Sequence, residues 1–384
     1  MTDSPLAAEP AILETLEFAY VRRPGLFKIV IVNFLLGLIT LSIWHFWGKT
    51  KVRRHIWSCI HINGEPLEYT GTGGELFRGF LLVFVIFILP YLLLYAGLSL
   101  YLGPGHPALQ AVTSLFALLG YLLGGYAIYK ARNFQLSRTN WRGIRGNMAG
   151  SAGLYSLTYF GSILARSFSL GWATPVMNVV MSEQMIGDMR FGDAAFKFKG
   201  RAGPLYPTYA LCWFLTFFVL IGGMILVGVT AYQWFGPEVS DALARVFHEA
   251  GKGPPTSNDD FIFGFIIFAV FAVILVYVLI IPMLWSIYAA VEMSTLANYT
   301  RFDGAQFKLK ATAGSIIWLV VGNLLLLVFT LTLARPFIIQ RNVSYVFKRL
   351  RLDGAVDLNR IRQSIAAMPT RGEGLADAFD LGAW

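Results

Sequence analysis

The sequence predicts an all-α polytopic membrane protein built from internal repeats, with short cytoplasmic β-hairpins between its helical blocks. Three observations predict it. Hydrophobic residues make up 56% of the 384 positions and charged residues only 14%, where a soluble domain carries roughly a quarter charged. Runs without a single charge cover Phe80–Leu102, Ala108–Tyr129, Pro207–Phe235 and Phe261–Val291, and about 20 apolar residues suffice to cross a bilayer as helix. A ten-residue interval also recurs four times, from Gly64 to Gly74, Gly143 to Gly153, Asp193 to Gly203 and Gly304 to Gly314. Between its ends lie short alternating stretches such as Leu67-Glu68-Tyr69, Phe196-Lys197-Phe198 and Phe307-Lys308-Leu309, and a long apolar segment follows. Such recurrence marks a repeated supersecondary unit, here a small polar hairpin feeding membrane helices.

Two kinds of block alternate between the hairpins. The two-span blocks, residues 74–143 and 203–304, predict four full transmembrane helices, with an external insertion at 236–260. The short blocks, 25–64, 153–193 and 314–354, measure 39, 40 and 40 residues. Each carries an internal break: Thr40-Leu41-Ser42, Ser169-Leu170-Gly171 and Thr330-Leu331-Thr332. From the start of each break to the next turn position is 24 residues, and seven residues before it stands Asn33, Ser162 or Asn323. A single crossing in each short block would put some hairpins outside. The economical expectation is three broken, re-entrant helix blocks, with one kinked span as the competing reading. Irregular backbone at membrane depth is tolerated only where it is buried in protein or lines a wet cavity. Residues 1–358 then form one repeat-built membrane domain, and 359–384 a tail that is either weakly ordered or docked as a peptide. Phe18-Ala19-Tyr20 and Arg349–Gly354 resemble half-hairpins that could pair and close a ring, covering edges that invite aggregation.

Charge sets the orientation. Nearly all of the 31 Lys and Arg residues flank the hairpins or lie in the terminal segments, among them Lys49, Lys51, Arg53 and Arg54, Arg138, Arg142 and Arg145, and Lys197, Lys199 and Arg201. The loop 103–107 has none, and 236–260 sets Arg245 and Lys252 against five acids. By the positive-inside rule the hairpins and both termini are cytoplasmic. The net charge of +9 therefore reflects topology and an affinity for the lipid bilayer and its anionic headgroups, not nucleic acid. No basic n-region leads an apolar run at the start, so no cleavable signal peptide is expected. Cys59 and Cys212 suggest neither a disulfide framework nor a thiolate metal site.

Several stretches together resemble one known family. They are Trp44–Arg54 with Gly64-Glu65-Pro66-Leu67-Glu68-Tyr69-Thr70-Gly71, the Asn140-Trp141-Arg142-Gly143 turn, Asn298–Gly304, and Gly372-Glu373-Gly374-Leu375-Ala376-Asp377. This combination resembles the YjgN/DUF898 family of bacterial inner-membrane proteins, which has no established activity. The chain departs from the family pattern at Phe191-Gly192-Asp193, where an acidic residue followed by glycine is usual. The resemblance implies a bacterial cytoplasmic membrane and carries over no catalytic residue.

Candidate chemistry gathers at the breaks. Ionisable groups at membrane depth are costly and are functional candidates by default. His45 and Arg335 lie five residues after the start of their breaks, and Arg166 three before its own. With Asn33, Ser162 and Asn323 on the approaching arms, and Thr40, Ser169 and Thr330 at the breaks, they compose a candidate substrate or pore lining of positive potential. The bland alternatives are bonding to freed carbonyls, snorkelling and interhelical hydrogen bonds. No zinc-binding histidine pair, nucleophile elbow or Walker-type loop occurs, so no enzyme, cofactor or metal is expected. Gly71-Thr72-Gly73-Gly74 could cradle phosphate, but its counterparts Gly150-Ser151-Ala152-Gly153 and Ala311-Thr312-Ala313-Gly314 mark it as a hairpin-to-helix connection. The functional expectation is a conduit or carrier for an anionic small molecule or lipid. The competing class is a membrane scaffold whose hairpin collar docks a partner.

Overall fold

The computed structural model describes residues 13–236, 257–330, 333–365 and 369. Residues 237–256 of the predicted insertion at 236–260 and most of the tail lie outside the described residues, and a helix begins inside the predicted insertion, at Ser257. The helices are α1 (Leu26–Ile39), α2 (His45–Trp57), α3 (Gly73–Leu102), α4 (Pro107–Ser137), α5 (Ala152–Phe168), α6 (Thr174–Gly187) and α7 (Tyr206–Phe235). After them come α8, which runs from Ser257 through a π turn to Tyr299, then α9 (Ala313–Phe329) and α10 (Arg335–Phe347). Among the described residues, four stretches are long and apolar enough to cross a membrane: Gly73–Leu102, Pro107–Ser137, Gly203–Gln233 and Ile267–Tyr299.

The strands lie between helices: β1 (Leu13–Glu14), β2 (Phe18–Tyr20), β3 (Ile60–Ile62), β4 (Glu65–Pro66), β5 (Glu68–Tyr69), β6 (Thr139–Trp141) and β7 (Ile144–Met148). The remainder are β8 (Met189–Phe191), β9 (Ala194–Phe198), β10 (Thr300–Phe302), β11 (Ala305–Leu309), β12 (Leu350–Asp353) and β13 (Val356–Asp357). Strands β5 to β12 form one antiparallel sheet in which each strand neighbours the next, and β2, β3 and β4 form another. Every helical block therefore leaves from one strand and returns to a hydrogen-bonded neighbour: β2 and β3 around α1–α2, β5 and β6 around α3–α4, and β7 and β8 around α5–α6. The pairs β9–β10 and β11–β12 do the same for α7–α8 and α9–α10.

Turn chemistry specifies these hairpins. Asn63-Gly64, Arg142-Gly143 and Asp303-Gly304 have positive φ at both central residues, the signature of the type I′ turn whose twist matches a two-residue hairpin. The third turn places positive φ at Gly192 and not at Asp193, the type II′ pattern with glycine first. The chain's departure at this copy is thus a change of turn type.

The hairpins are less polar than the sequence reading has them. Strand alternation turns Phe196 inward and Lys197 outward, and one apolar cluster collects Trp141, Phe302, Ala305, Leu352 and Val356 with Phe191, Phe196 and Phe307. Phe196 and Phe302 stack with centroids 4.6 Å apart, and Phe18 of β2 reaches Phe307 of β11 at 6.1 Å. That contact joins the three-stranded sheet to the eight-stranded one. A separate two-stranded pair sets Leu13 opposite Asp357 and Glu14 opposite Val356. The pairing lies just beyond the half-hairpins that the sequence suggests. On the outward face Lys197 stands opposite Arg301, and Lys308 opposite Arg351.

By contacts the chain divides into two compact units. One holds the described residues up to Ala202, Met293–Lys310 and those from Leu326 onward, and the other holds Gly203–Glu292 and Ala311–Leu325. In the first, α4 and α5 pack closely because α4 presents small residues. A Cβ on Gly125 would lie 2.7 Å from Tyr159 Cβ and 2.8 Å from Ser156 Cα. Close backbone approach through small residues is how helices associate where water supplies no driving force. In the second, Cys212 Sγ donates to the Leu284 carbonyl at 3.3 Å and Trp285 Nε1 to Thr216 Oγ1 at 3.0 Å, joining α7 to α8.

Candidate functional site

The breaks share one construction. At the first, Leu41 and Ser42 have φ of 49° and 70°, and the Ser42 N–H donates back to the Gly37 carbonyl at 2.7 Å. At the second, Leu170 and Gly171 have φ of 51° and 91°, and the Gly171 N–H donates to the Arg166 carbonyl at 2.7 Å. This is the left-handed closure that satisfies a helix's last carbonyls. A hydroxyl at the start of each break then ties it to the residue just before the next helix. Thr40 Oγ1 accepts from the Trp44 N–H at 2.9 Å, Ser169 Oγ from Ala173 at 2.8 Å and Thr330 Oγ1 from Ala334 at 3.0 Å. Leu331 and Thr332 lie outside the described residues.

These bonds assign work to three of the nine predicted residues, Thr40, Ser169 and Thr330, as ties across the breaks. Ser162 is fully buried, and its hydroxyl donates to the Tyr159 carbonyl of its own helix at 2.7 Å. Asn33 of α1 spans to α2: its Nδ2 donates to the Gly48 carbonyl and its Oδ1 accepts from Trp44 Nε1, each at 3.2 Å. His45, exposed at the start of α2, sets its ring edge against Phe46 at 5.8 Å. Arg335, also exposed, begins α10, and Asn323 is half-buried on α9. Asn33, Ser162 and Arg166 are not hydrogen-bonded to one another, since each bonds within its own helical pair.

Arg166 stands apart from these. Its Nη2 donates to Asn178 Oδ1 of α6 at 2.7 Å and approaches Met181 Sδ at 3.9 Å, while its Nε is buried with no partner. The guanidinium thus meets an amide and a thioether and, among the described residues, forms no ion pair. Tyr155, Tyr159, Ser162 and Arg166 follow at i, i+4, i+7 and i+11 on α5, one face of a helix with 3.6 residues per turn. Tyr155 lies within electrostatic range of both Arg166 and Arg132 of α4. Its ring packs on Tyr129 with centroids 5.6 Å apart, and Tyr129 Oη donates to Asp188 Oδ2 at 2.9 Å. A polar seam therefore runs along the inner face of α5, from Asp188 near the sheet to Arg166 near the break. Asn178, Tyr155, Tyr159 and Arg132 escape a reading centred on the breaks, although the spacing on α5 signals the seam.

At the glycine-rich connection the helix N-terminus is satisfied by the chain's own side chains. Thr72 caps α3 in a capping box with Glu75, whose carboxylate takes the anion's place at the helix N-terminus and pairs with Arg138. Gly71 lies against the Tyr69 ring, and Gly73 against Trp47. Among the described residues no group of His, Cys, Asp and Glu is placed to hold a metal ion.

Two further irregularities share one construction. Phe84–Ile88 in α3 and Val276–Ile280 in α8 are π turns, each followed two residues later by Pro90 or Pro282. Proline lacks an N–H and clashes with the carbonyl four residues back. The wider turn absorbs this by bonding Leu89 to Phe84 and Ile281 to Val276 across five residues.

Apolar helices of bilayer length joined through a sheet of short hairpins define an integral membrane protein. The chain belongs to the family described as "Bacterial protein of unknown function (DUF898)", which matches residues 18–378. It is similar to the inner membrane protein YjgN of Salmonella typhimurium, 39% identical over 118 residues, 31% of this chain and 27% of that protein. It is also similar to YjgN of Escherichia coli O157:H7, 31% identical over 139 residues, 36% of this chain and 32% of that one. The matched stretches thus span about a third or less of these relatives' length. No solved structure matches the chain.

Proposed function

We propose that the protein is a non-enzymatic conduit or carrier for an anionic small molecule or lipid, with its hairpin sheet on the cytoplasmic side. One observation carries the reading: a guanidinium, Arg166, set in an apolar helix bundle with neutral partners and a buried, unpartnered Nε. A cation so placed retains the capacity to bind an anion, because no carboxylate neutralises it, and charge-assisted bonds to guanidinium are among the stronger ones. Arg132 adds a second positive charge along the seam. The opposed cations Lys197–Arg301 and Lys308–Arg351, close to helix ends, suit a face toward anionic headgroups.

The three short blocks are read as repeated re-entrant pairs. Their arms are 13 to 17 residues long, about 20–25 Å at 1.5 Å per residue, short of the ~30 Å hydrocarbon core. Both ends of each pair attach to neighbouring strands, which supports a dip and return.

Asn178→Asp tests the role of Arg166, since it places a carboxylate against the guanidinium without removing it. Thermal unfolding of the purified protein in neutral detergent, with and without sulfate, phosphate or short-chain phosphatidylglycerol, is the readout. The wild type should gain stability from one of these anions, and Asn178→Asp should lose that response while remaining folded. An anion response equal in both proteins, or absent from the wild type, sinks the reading. The second reading, a scaffold docking a partner through its collar, draws support from the segment that the collar already holds.

A further inference from the structure

The third turn departs from the other three, and the segment after β13 lies against it. Asp193 occupies the position held by Gly64, Gly143 and Gly304 in the other turns. Its N–H donates to the Arg362 carbonyl at 3.0 Å, and its Oδ1 accepts the Arg362 N–H at 2.9 Å. A Cβ on Gly192 would stand 2.2 Å from that carbonyl, so this close approach requires glycine. From the second hairpin, the Arg145 N–H donates to Gln363 Oε1 at 3.0 Å and its Nη2 to the Ser364 carbonyl at 3.4 Å. Ile361 is buried in the collar's apolar cluster.

These contacts form three recognition features in a row. An apolar socket takes Ile361, Asp193 reads one residue's N–H and C=O together, and Arg145 presents a donor to a carboxamide. Residues 361–365 belong to no strand, so ladder pairing does not hold them. Beside them a cavity of about 370 Å³, lined by Asp193, Lys197, Asp303 and Arg360 among others, leaves the segment loosely covered. Recognition of an extended peptide by main-chain bonds and a side-chain pocket is a recurring mode.

We propose that the edge formed by the second and third turns is a docking groove for an extended peptide, and that Ile361–Ser364 is its resident, displaceable occupant. A partner would present the same pattern: a branched aliphatic residue, then a main-chain donor and acceptor pair, then a carboxamide. Release of the resident segment makes the groove available to it. The proposal is independent of the conduit reading, since it uses none of the residues of the α5 seam.

Trypsin cleavage after Arg362 in the full-length protein, followed by mass spectrometry, tests it. Asp193→Gly supplies the residue of the other turns and removes the carboxylate acceptor, and should speed cleavage roughly tenfold, as expected for losing a charge-assisted hydrogen bond. Asp193→Asn keeps an acceptor without its charge and should fall between the wild type and Asp193→Gly. A peptide spanning Leu358–Ser364 with citrulline in place of both arginines resists trypsin. Added in millimolar excess, it should raise the wild-type rate toward that of Asp193→Gly. Equal cleavage of wild type and Asp193→Gly, or no effect of the peptide, overturns the proposal.

Discussion

Arg166 and His55 show how burial turns ordinary side chains into informative ones. Arg166 is held by Asn178 without a counter-charge, so its electrostatic cost remains available to a ligand. His55, in the last turn of α2, has a buried Nε2 without a partner. Burial pushes its pKa below the usual imidazole value, outweighing a backbone hydrogen bond at Arg23, while the Arg23 charge also lowers it. The folded state therefore prefers neutral imidazole. The unfolded chain takes up the proton first as pH falls through ~6.5, so folding loses stability below that pH and is unaffected by this group above it. In detergent, Tm should fall between pH 7.5 and 5.5, and less so in His55→Gln. Identical pH slopes in the two proteins would remove His55 as the cause.

At the scale of elements, the first two breaks have two parts, a left-handed closure of one helix and a hydroxyl tied to the residue before the next. Thr40, Ser169 and, at the third break, Thr330 supply that hydroxyl. Replacing any of them with Ala should cost about 0.5–1.5 kcal/mol, the net worth of one hydrogen bond, while Thr40→Ser and Thr330→Ser should recover most of it. Thermal unfolding of each variant measures the loss, and a neutral Ala series would mean that these bonds do not hold the breaks. The π turns before Pro90 and Pro282 follow the same logic, a local cost of proline absorbed by local geometry.

At the scale of the molecule, pairing of β1 with β13 brings the two terminal segments together around the aromatic interior of the hairpins. Directly paired antiparallel residues have Cα atoms about 4.5–5.5 Å apart, within disulfide range. The double variant Leu13→Cys, Asp357→Cys should form an internal disulfide on mild oxidation, with the buried native thiols Cys59 and Cys212 left reduced. Mass spectrometry of the oxidised protein reads the result. Failure to cross-link would show that β1 and β13 are not paired in solution.

Much of the architecture was legible because membrane insertion and turn formation are local. Uncharged runs of bilayer length mark Gly73–Leu102 and its three counterparts, and Asn63-Gly64 or Asp303-Gly304 names its own turn through the need for positive φ. The site was legible only in part. Arg166 stands out as a charge in an apolar stretch, but its amide partner Asn178 lies across a break that sequence spacing cannot fold. Ser162, Thr40, Ser169 and Thr330 look alike as polar residues near the breaks, and only geometry shows one buried against its own helix and three tied across a break. The sequence by itself determined the solvent, the helices and the turns, since each depends on composition or on a few adjacent residues. The tertiary structure decided the strand order, the aromatic interior, the seam on α5 and the place where the segment after β13 docks. Those depend on which distant surfaces meet, and alternation or spacing constrains that only through the packing it permits.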